Sequence, residues 1–197
     1  VDFTNTIIIA TNNNHFVEHS LYHGYFRHCV SACVCCIDRG HSAAGYSLAH
    51  NGVVLDMSWL NASTISIAKP DTATLVVQAG AIFKDIYARL NETGYILAGG
   101  GCSTVGVSGF MLGGGLSFLS RAFGLGSDNL LSLRMVLANG TLVTVSPSQH
   151  PELWWALQGG GGGNFGVVVD FTFQLHPHED WTNVQEVCWY GNEAAIY

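Results

Sequence analysis

A chain of 197 residues with 48% hydrophobic and 11% charged side chains can bury a sizeable core, and it is too poor in charge to be an acidic disordered segment despite a net charge of −7. The seven basic residues, Arg27, Arg39, Lys69, Lys84, Arg89, Arg121 and Arg134, are scattered along the chain. No basic stripe offers itself to nucleic acid or to an anionic membrane surface. The longest uncharged stretch, residues 93–120, holds nine glycines and is a poor lipid-facing helix, so no membrane span is expected.

In chain order, residues 7–10 read as a short strand, and 15–28 suit a helix with Phe16, Tyr22 and Phe26 near one face. A signal peptide is not expected over residues 1–10, which hold Asp2 and no basic residue. Strands are predicted at 34–37, 53–57 and 64–67, and a clearer one at 72–79 (TATLVVQA). Gly80 breaks that strand, and an amphipathic helix follows over 82–91 with Ile82, Ile86 and Leu90 on one face. Gly94 stands where a helix-terminating glycine is expected. Strands at 133–137 and 141–145 flank Asn139-Gly140, the pair favoured by a type I′ hairpin turn with two positive φ angles. Pro151 opens a short helix to residue 157, the glycines at 159–163 end it, and 167–175 (VVVDFTFQL) is a strand. With no internal repeat and no clean βαβ rhythm, the class is α+β.

Six cysteines occur, four of them within residues 29–36 (Cys29, Cys33, Cys35, Cys36), then Cys102 and Cys188. The cluster lacks the spaced pairs of a zinc site and reads as an apolar strand. Sequons at Asn61, Asn91 and Asn139 are compatible with a secreted glycoprotein. His15-x-x-Glu18-His19, with His23 one turn further, would place three imidazoles on one helical face, the geometry of a zinc site, or simply form an exposed polar face. Gly161-x-Gly163-x-x-Gly166 satisfies a dinucleotide-binding pattern, but a helix precedes it and a strand follows, the reverse of the order that pattern needs. No P-loop and no G-x-S-x-G elbow is present, which weakens phosphoryl transfer and serine hydrolysis. The richest segment is 99–129, where glycines alternate with Ser103, Thr104 and Ser108. Such loops make an anion-binding concavity suited to a diphosphate, with hydroxyls to bond phosphate or ribitol oxygens; glycines can also serve only to pack layers closely.

Arg39-Gly40-His41-Ser42, Gly101-Cys102-Ser103-Thr104-Val105-Gly106-Val107-Ser108-Gly109, Gly113-Gly114-Gly115, Gly124-Leu125-Gly126-Ser127-Asp128-Asn129 and the glycines of 159–166 stand in this order. Together they resemble the FAD-binding (PCMH-type) domain of the vanillyl-alcohol oxidase / p-cresol methylhydroxylase superfamily, in its berberine bridge enzyme-like branch, over residues 41–177. The resemblance implies two α+β subdomains holding FAD between them, at residues 1–60 and 61–177, with 178–197 beginning a substrate domain or tail. It implies cofactor contacts from Arg39, Gly40, His41 and Ser42, and from Gly100, Gly101, Cys102, Ser103, Thr104, Val105, Gly106, Gly109 and Phe110. Gly113, Gly114 and Gly115 approach the flavin and diphosphate, while Asp128, Asn129, Gly163, Asn164, Gly166, Val167 and Val168 lie nearer the cofactor in the second subdomain. By the same resemblance, His41 and Cys102 match the residues that many members bond to the flavin C8 methyl and C6.

Val105 occupies the place where oxidase members tend to carry valine, which points to oxygen as electron acceptor and to a small-molecule substrate such as an alcohol, sugar or amine. The first motif has one glycine between Arg39 and His41 where the family has two or more, and Phe110 stands where berberine bridge enzymes often have histidine. No catalytic base is identified. The expectation is an FAD-dependent oxidase; the alternative is a catalytically incomplete flavin-binding fragment or a secreted interaction protein.

Overall fold

The structure, a computed structural model, describes residues 7–10, 34–37, 40–47, 53–68 and 72–178. Three short apolar strands, β1 (Ile7–Ala10), β2 (Val34–Ile37) and β3 (Val53–Asp56), form a parallel sheet in the order β1-β3-β2, with Ile7 and Val34 both in register with Val53. Cys35 and Cys36 of the cysteine-rich stretch therefore lie on a strand at the edge of this sheet, as an apolar character predicts, while Cys29 and Cys33 lie outside the described residues.

The second sheet is antiparallel throughout. It contains β4 (Ser63–Ile67), β5 (Ala73–Gln78), β7 (Leu130–Val136), β8 (Leu142–Val145) and β9 (Val167–Gln174) in the order β4-β5-β9-β7-β8. A two-residue pair, β6 (Tyr95–Ile96) with β10 (His176–Pro177), stands apart from it. A parallel and an antiparallel sheet in one chain, with helices beside them, make the class α+β.

Period-2 patterning sets the faces. Ala73, Leu75 and Val77 of β5 are fully buried, while Val76 between them is 40% exposed. Phe171 and Phe173 of β9, Leu133 and Met135 of β7 and Val145 of β8 complete the inner face. Helix α1 (Phe83–Leu90) sets Phe83, Ile86 and Leu90 into the same core, one stripe of a helix whose Asp85 and Arg89 suit its two dipole ends. On the outer side Arg134 faces Asp170 across β7 and β9, and its Nε donates to both carboxylate oxygens at 3.1 and 2.9 Å. The connection from β3 to β4 is tied to the end of β5 at Gly80, whose N–H donates to Leu60 O at 2.8 Å; a Cβ there would lie 1.7 Å from Met57 O.

Three short helices complete the described chain: α2 (Val107–Leu112), α3 (Ser120–Phe123) and α4 (Pro151–Leu157), with a 3-10 turn at Ser127–Asn129 before β7. No helix among the described residues is long and apolar enough to cross a membrane.

Two local expectations change. The β7–β8 hairpin is present, but only Gly140 has a positive φ (84°), so the turn is not type I′. Gly140 N–H closes a turn on Leu137 O at 2.9 Å, and Asn139 Oδ1 instead accepts Thr141 N–H at 3.0 Å. A turn followed by a left-handed glycine is the three-residue hairpin solution. After α1, the first left-handed residue is Glu92 (φ 67°), with Gly94 (φ 76°) second, and Thr93 Oγ1 donates to the Leu90 carbonyl at 2.6 Å. The helix predicted over 15–28, with His15, His19 and His23, lies outside the described residues; no group that could hold a metal occurs among the described ones.

Candidate cofactor site

Three stretches far apart in sequence wall a cavity of about 970 Å³. The loop after β2 brings His41, Ser42, Tyr46 and Ser47. The turn into α2 brings Val105, Gly106, Ser108, Gly109, Phe110 and Leu112. The loop between α4 and β9 brings Gly160 to Gly163, Asn164 and Gly166. Met57, Ala79 and Val168 close the floor where the two sheets approach each other. That size sits at the upper end for small-molecule sites, as a large flat ligand requires.

Local bonds fix these walls. Val107 N–H donates to Ala81 O at 2.9 Å and Ser108 Oγ to Ala79 O at 2.5 Å, so α2 starts pinned to the end of β5. Gly161 N–H donates to Leu112 O at 2.9 Å and Asn164 Nδ2 to Gly160 O at 2.7 Å, which curls the glycine loop over the end of α2. The proton of Ser108 is thus committed to the chain's own backbone.

The glycines divide into two kinds, and each of the roles open to them in the sequence is filled. Gly109 and Gly163 line the cavity, and a Cβ built on either meets no atom within 4 Å. Those two leave backbone accessible to a ligand. Around the Phe83, Phe110 and Phe118 rings glycine is instead a packing device. A Cβ on Gly99 or Gly100 would strike the Phe83 ring at 2.7 and 2.8 Å, one on Gly115 the Phe110 ring at 2.8 Å, and one on Gly101 the Phe118 ring at 2.5 Å. Gly113 sits 3.2 Å from Gly109 O by the same measure, while Gly114 and Gly115 accept the N–H groups of Ser127 (3.0 Å) and Gly126 (2.8 Å).

At one end of the cavity three side chains meet. Thr104 Oγ1 lies 3.0 Å from His41 Nε2 and 3.5 Å from Cys102 Sγ. His41 lines the cavity; Cys102 is an exposed free thiol just outside that lining. The Thr104 hydroxyl and then its backbone N–H hold the thiol below its ordinary range, the thiolate being the hydrogen-bonded form. The one-glycine first motif still delivers His41 to the cavity wall, with Gly40 at φ 68° turning the chain into it.

Of the residues expected to touch a cofactor, the structure gathers His41, Ser42, Val105, Gly106, Gly109, Phe110, Gly163, Asn164, Gly166 and Val168 on this cavity. Arg39 lies outside the described residues. Ser103 is exposed, and its carbonyl accepts Lys84 N–H at 2.9 Å. Val167 is half-buried at the start of β9, paired with Val136. Asp128 and Asn129 stand off the lining and bind the chain itself. An Asp128 oxygen accepts Leu125 N–H at 2.8 Å, and buried Asn129 donates to the carbonyls of Phe123 and Leu125 at 2.9 and 2.7 Å. Asn129 Oδ1 also lies 2.5 Å from His176 Nε2. The lining residues not anticipated as contacts include Tyr46, Met57, Ala79 and Leu112, which carry no motif; the glycine run at 160–162 was the one available signal.

A wide cavity walled by three separate stretches of chain, backed by open-faced glycines and flanked by a histidine and a cysteine joined through a hydroxyl, is the site of a cofactor-binding module, and the residues present fit a flavin dinucleotide. The chain belongs to the FAD-binding domain family, whose model matches residues 28–146, and FAD is its cofactor. It is 42% identical over 141 residues to the FAD-linked oxidoreductase YgaK of Bacillus subtilis, covering 70% of this chain and 31% of that protein. Among solved structures it is similar to BBE-like 1 of Physcomitrella patens, with a TM-score of 0.76 and 33% identity over 86% of this chain and 36% of that one. It is also similar to 6-hydroxy-D-nicotine oxidase of Arthrobacter nicotinovorans, with a TM-score of 0.76 and 30% identity over the same shares. The chain therefore spans about a third of the length of the relatives it matches.

Proposed function

We propose that this chain is the flavin-holding part of an FAD-dependent oxidase acting on a small alcohol, sugar or amine. The bound FAD would supply the hydride acceptor, at flavin N5, and a route for those electrons to oxygen. The chain's own residues bind and orient. Gly109 and Gly163 admit the cofactor against bare backbone, and Phe110, Leu112, Met57 and Val168 make an apolar wall that keeps water from one side of it. His41 and Cys102 serve as attachment points, consistent with an imidazole on the wall and a thiol biased towards its reactive anion. Val105, half-buried on the lining three residues after Cys102, supports oxygen as acceptor by the family resemblance.

The observation that carries this reading is the cavity itself, walled by glycines whose missing side chains leave open space. The test is an absorbance spectrum of the purified chain before and after acid precipitation. Flavin bands are expected, with colour retained in the pellet if His41 or Cys102 is bonded to it. A colourless protein that takes up no added FAD refutes the reading. A secretory origin belongs to the same proposal: Asn61, Asn91 and Asn139 are all exposed. Enzymatic deglycosylation of the native protein should then shift its mass.

A further inference from the structure

We propose that Tyr46 is a cofactor-binding residue, whose ring, exposed on the cavity wall and held beside His41 by a closed turn, stacks on the isoalloxazine of bound FAD. The inference rests on the reading above for what fills the cavity, and adds the side chain that closes on it. An exposed aromatic ring is ordinary by itself. Tyr46 differs in its place: it lines the cavity and is nevertheless 82% exposed. The other large apolar side chains of the described lining are already committed to the core. Met57 and Leu112 are buried, and half-buried Phe110 meets Phe83 edge-on, with ring centroids 5.0 Å apart. Tyr46 is therefore the lining side chain with the most apolar surface left to bury against a ligand, and a planar ligand offers a ring the geometry it prefers, offset stacking.

The loop holds the tyrosine ready. Gly45, at φ 78°, donates its N–H to Ser42 O at 3.1 Å, and Tyr46 donates its N–H to Ser42 Oγ at 3.2 Å. These two bonds fold the chain back, so that the Tyr46 amide reaches the side chain of the residue next to His41. A backbone fixed before the ligand arrives leaves only two side-chain torsions to be frozen on binding. The same turn chooses between the two planar groups of FAD. His41 stands at the end of the cavity where Thr104 joins it to Cys102, with Oγ1 3.0 Å from His41 Nε2. That is the end at which the flavin is attached in the reading above, so the ring beside His41 faces the isoalloxazine and not the adenine. An electron-rich phenol on an electron-poor heterocycle is a favourable pair.

The test is nitration by tetranitromethane, followed by mass spectrometry of the tyrosine peptides, in the full chain produced without flavin and again after addition of FAD. Tyr46 should nitrate readily without the cofactor and about fivefold or more slowly with it, as a ring covered over most of its surface requires. Tyr95, off the cavity lining and half-buried, is the internal control and should nitrate equally in both states. The second readout is the emission of the bound flavin. A phenol in contact with an excited isoalloxazine quenches it by lending an electron that returns as the pair relaxes; phenylalanine stacks without lending one. FAD bound to Y46F should therefore emit severalfold more strongly than FAD bound to the parent, and a substitution at so exposed a position leaves the core untouched. A chain that retains FAD while Tyr46 nitrates as fast as before overturns the inference and leaves the proposed function standing. Protection of Tyr46 with equal emission from Y46F and the parent puts the ring on another part of the cofactor and overturns the assignment to the isoalloxazine. A colourless chain that takes up no FAD overturns both.

Discussion

Replacing Gly109 with alanine should move stability and cofactor affinity in opposite directions. Gly109 lies inside α2 and carries no positive φ, so alanine suits its backbone. Removing glycine from a helix interior stabilises by about 0.5–1 kcal/mol. For a chain of this size that raises Tm by about 1–4 °C. The added methyl meets no protein atom within 4 Å, because it projects into the cavity. There it occupies space that the cofactor needs, and overfilling a well-packed contact costs about 1–3 kcal/mol. FAD affinity should therefore fall about five- to hundredfold. Thermal melts of the flavin-free chain and a fluorescence titration with FAD read the two effects separately. Gly99→Ala is the control with the opposite signature in the melt, since its methyl would strike Phe83 and the Tyr87 hydroxyl, both at 2.7 Å. If G109A binds FAD as tightly as the parent, the cavity wall at α2 does not hold the cofactor, and the argument from open-faced glycines fails.

Gly80→Ala should cost about 3 kcal/mol or more, because its Cβ would collide with backbone at Met57, and urea denaturation should show the loss or no folded protein at all; a near-parental midpoint would contradict the close approach of Gly80 to the connection from β3 to β4. His176 stacks on Phe123 at 4.1 Å, and burial lowers its folded-state pKa below the ordinary 6.5, so protonation favours the unfolded chain. The stability it confers is whole above pH 6.5 and is lost as pH falls through the lower folded value. Urea midpoints of H176Q should thus decline less than the parent's between about pH 7 and 5, and coincident slopes would dismiss this role. Arg134→Ala should cost about 1–2 kcal/mol by removing charge-assisted bonds to buried Asp170, a figure reduced because Arg134 is 45% exposed. A change below about 0.3 kcal/mol in urea denaturation would show the pair to be inconsequential.

Elements written in local pattern were legible in the sequence. The alternation of TATLVVQA gives β5, the Ile86–Leu90 spacing gives α1, and Pro151 with the following glycines brackets α4. Context also settled Gly161–Gly166: α4 precedes it and β9 follows, so the dinucleotide-like spacing is not a strand-to-helix phosphate loop. What escaped was non-local. Which glycines face a ring and which face open space depends on where Phe83, Phe110 and Phe118 land, and no spacing rule encodes that. Asn129, expected to touch the cofactor, is a buried clamp on the nearby carbonyls of Phe123 and Leu125, and its third partner, His176, comes from 47 residues further along the chain. The Asn139-Gly140 dipeptide marked the hairpin but not its turn, since the asparagine side chain accepted Thr141 N–H in place of adopting a positive φ.

The strand order β4-β5-β9-β7-β8 puts the last long strand of the sheet at its centre. Until β9 is in place, β4 with β5 and β7 with β8 are two detached ribbons, each with only marginal independent stability. Their union waits for residues near position 174 to pair with those near 74, a loop closure of some hundred residues. A chain emerging from the ribosome would therefore hold two unzipped halves with bare inner edges until β9 has cleared the exit tunnel. Late insertion of that strand is the step at which folding would be slowest and self-association most tempting.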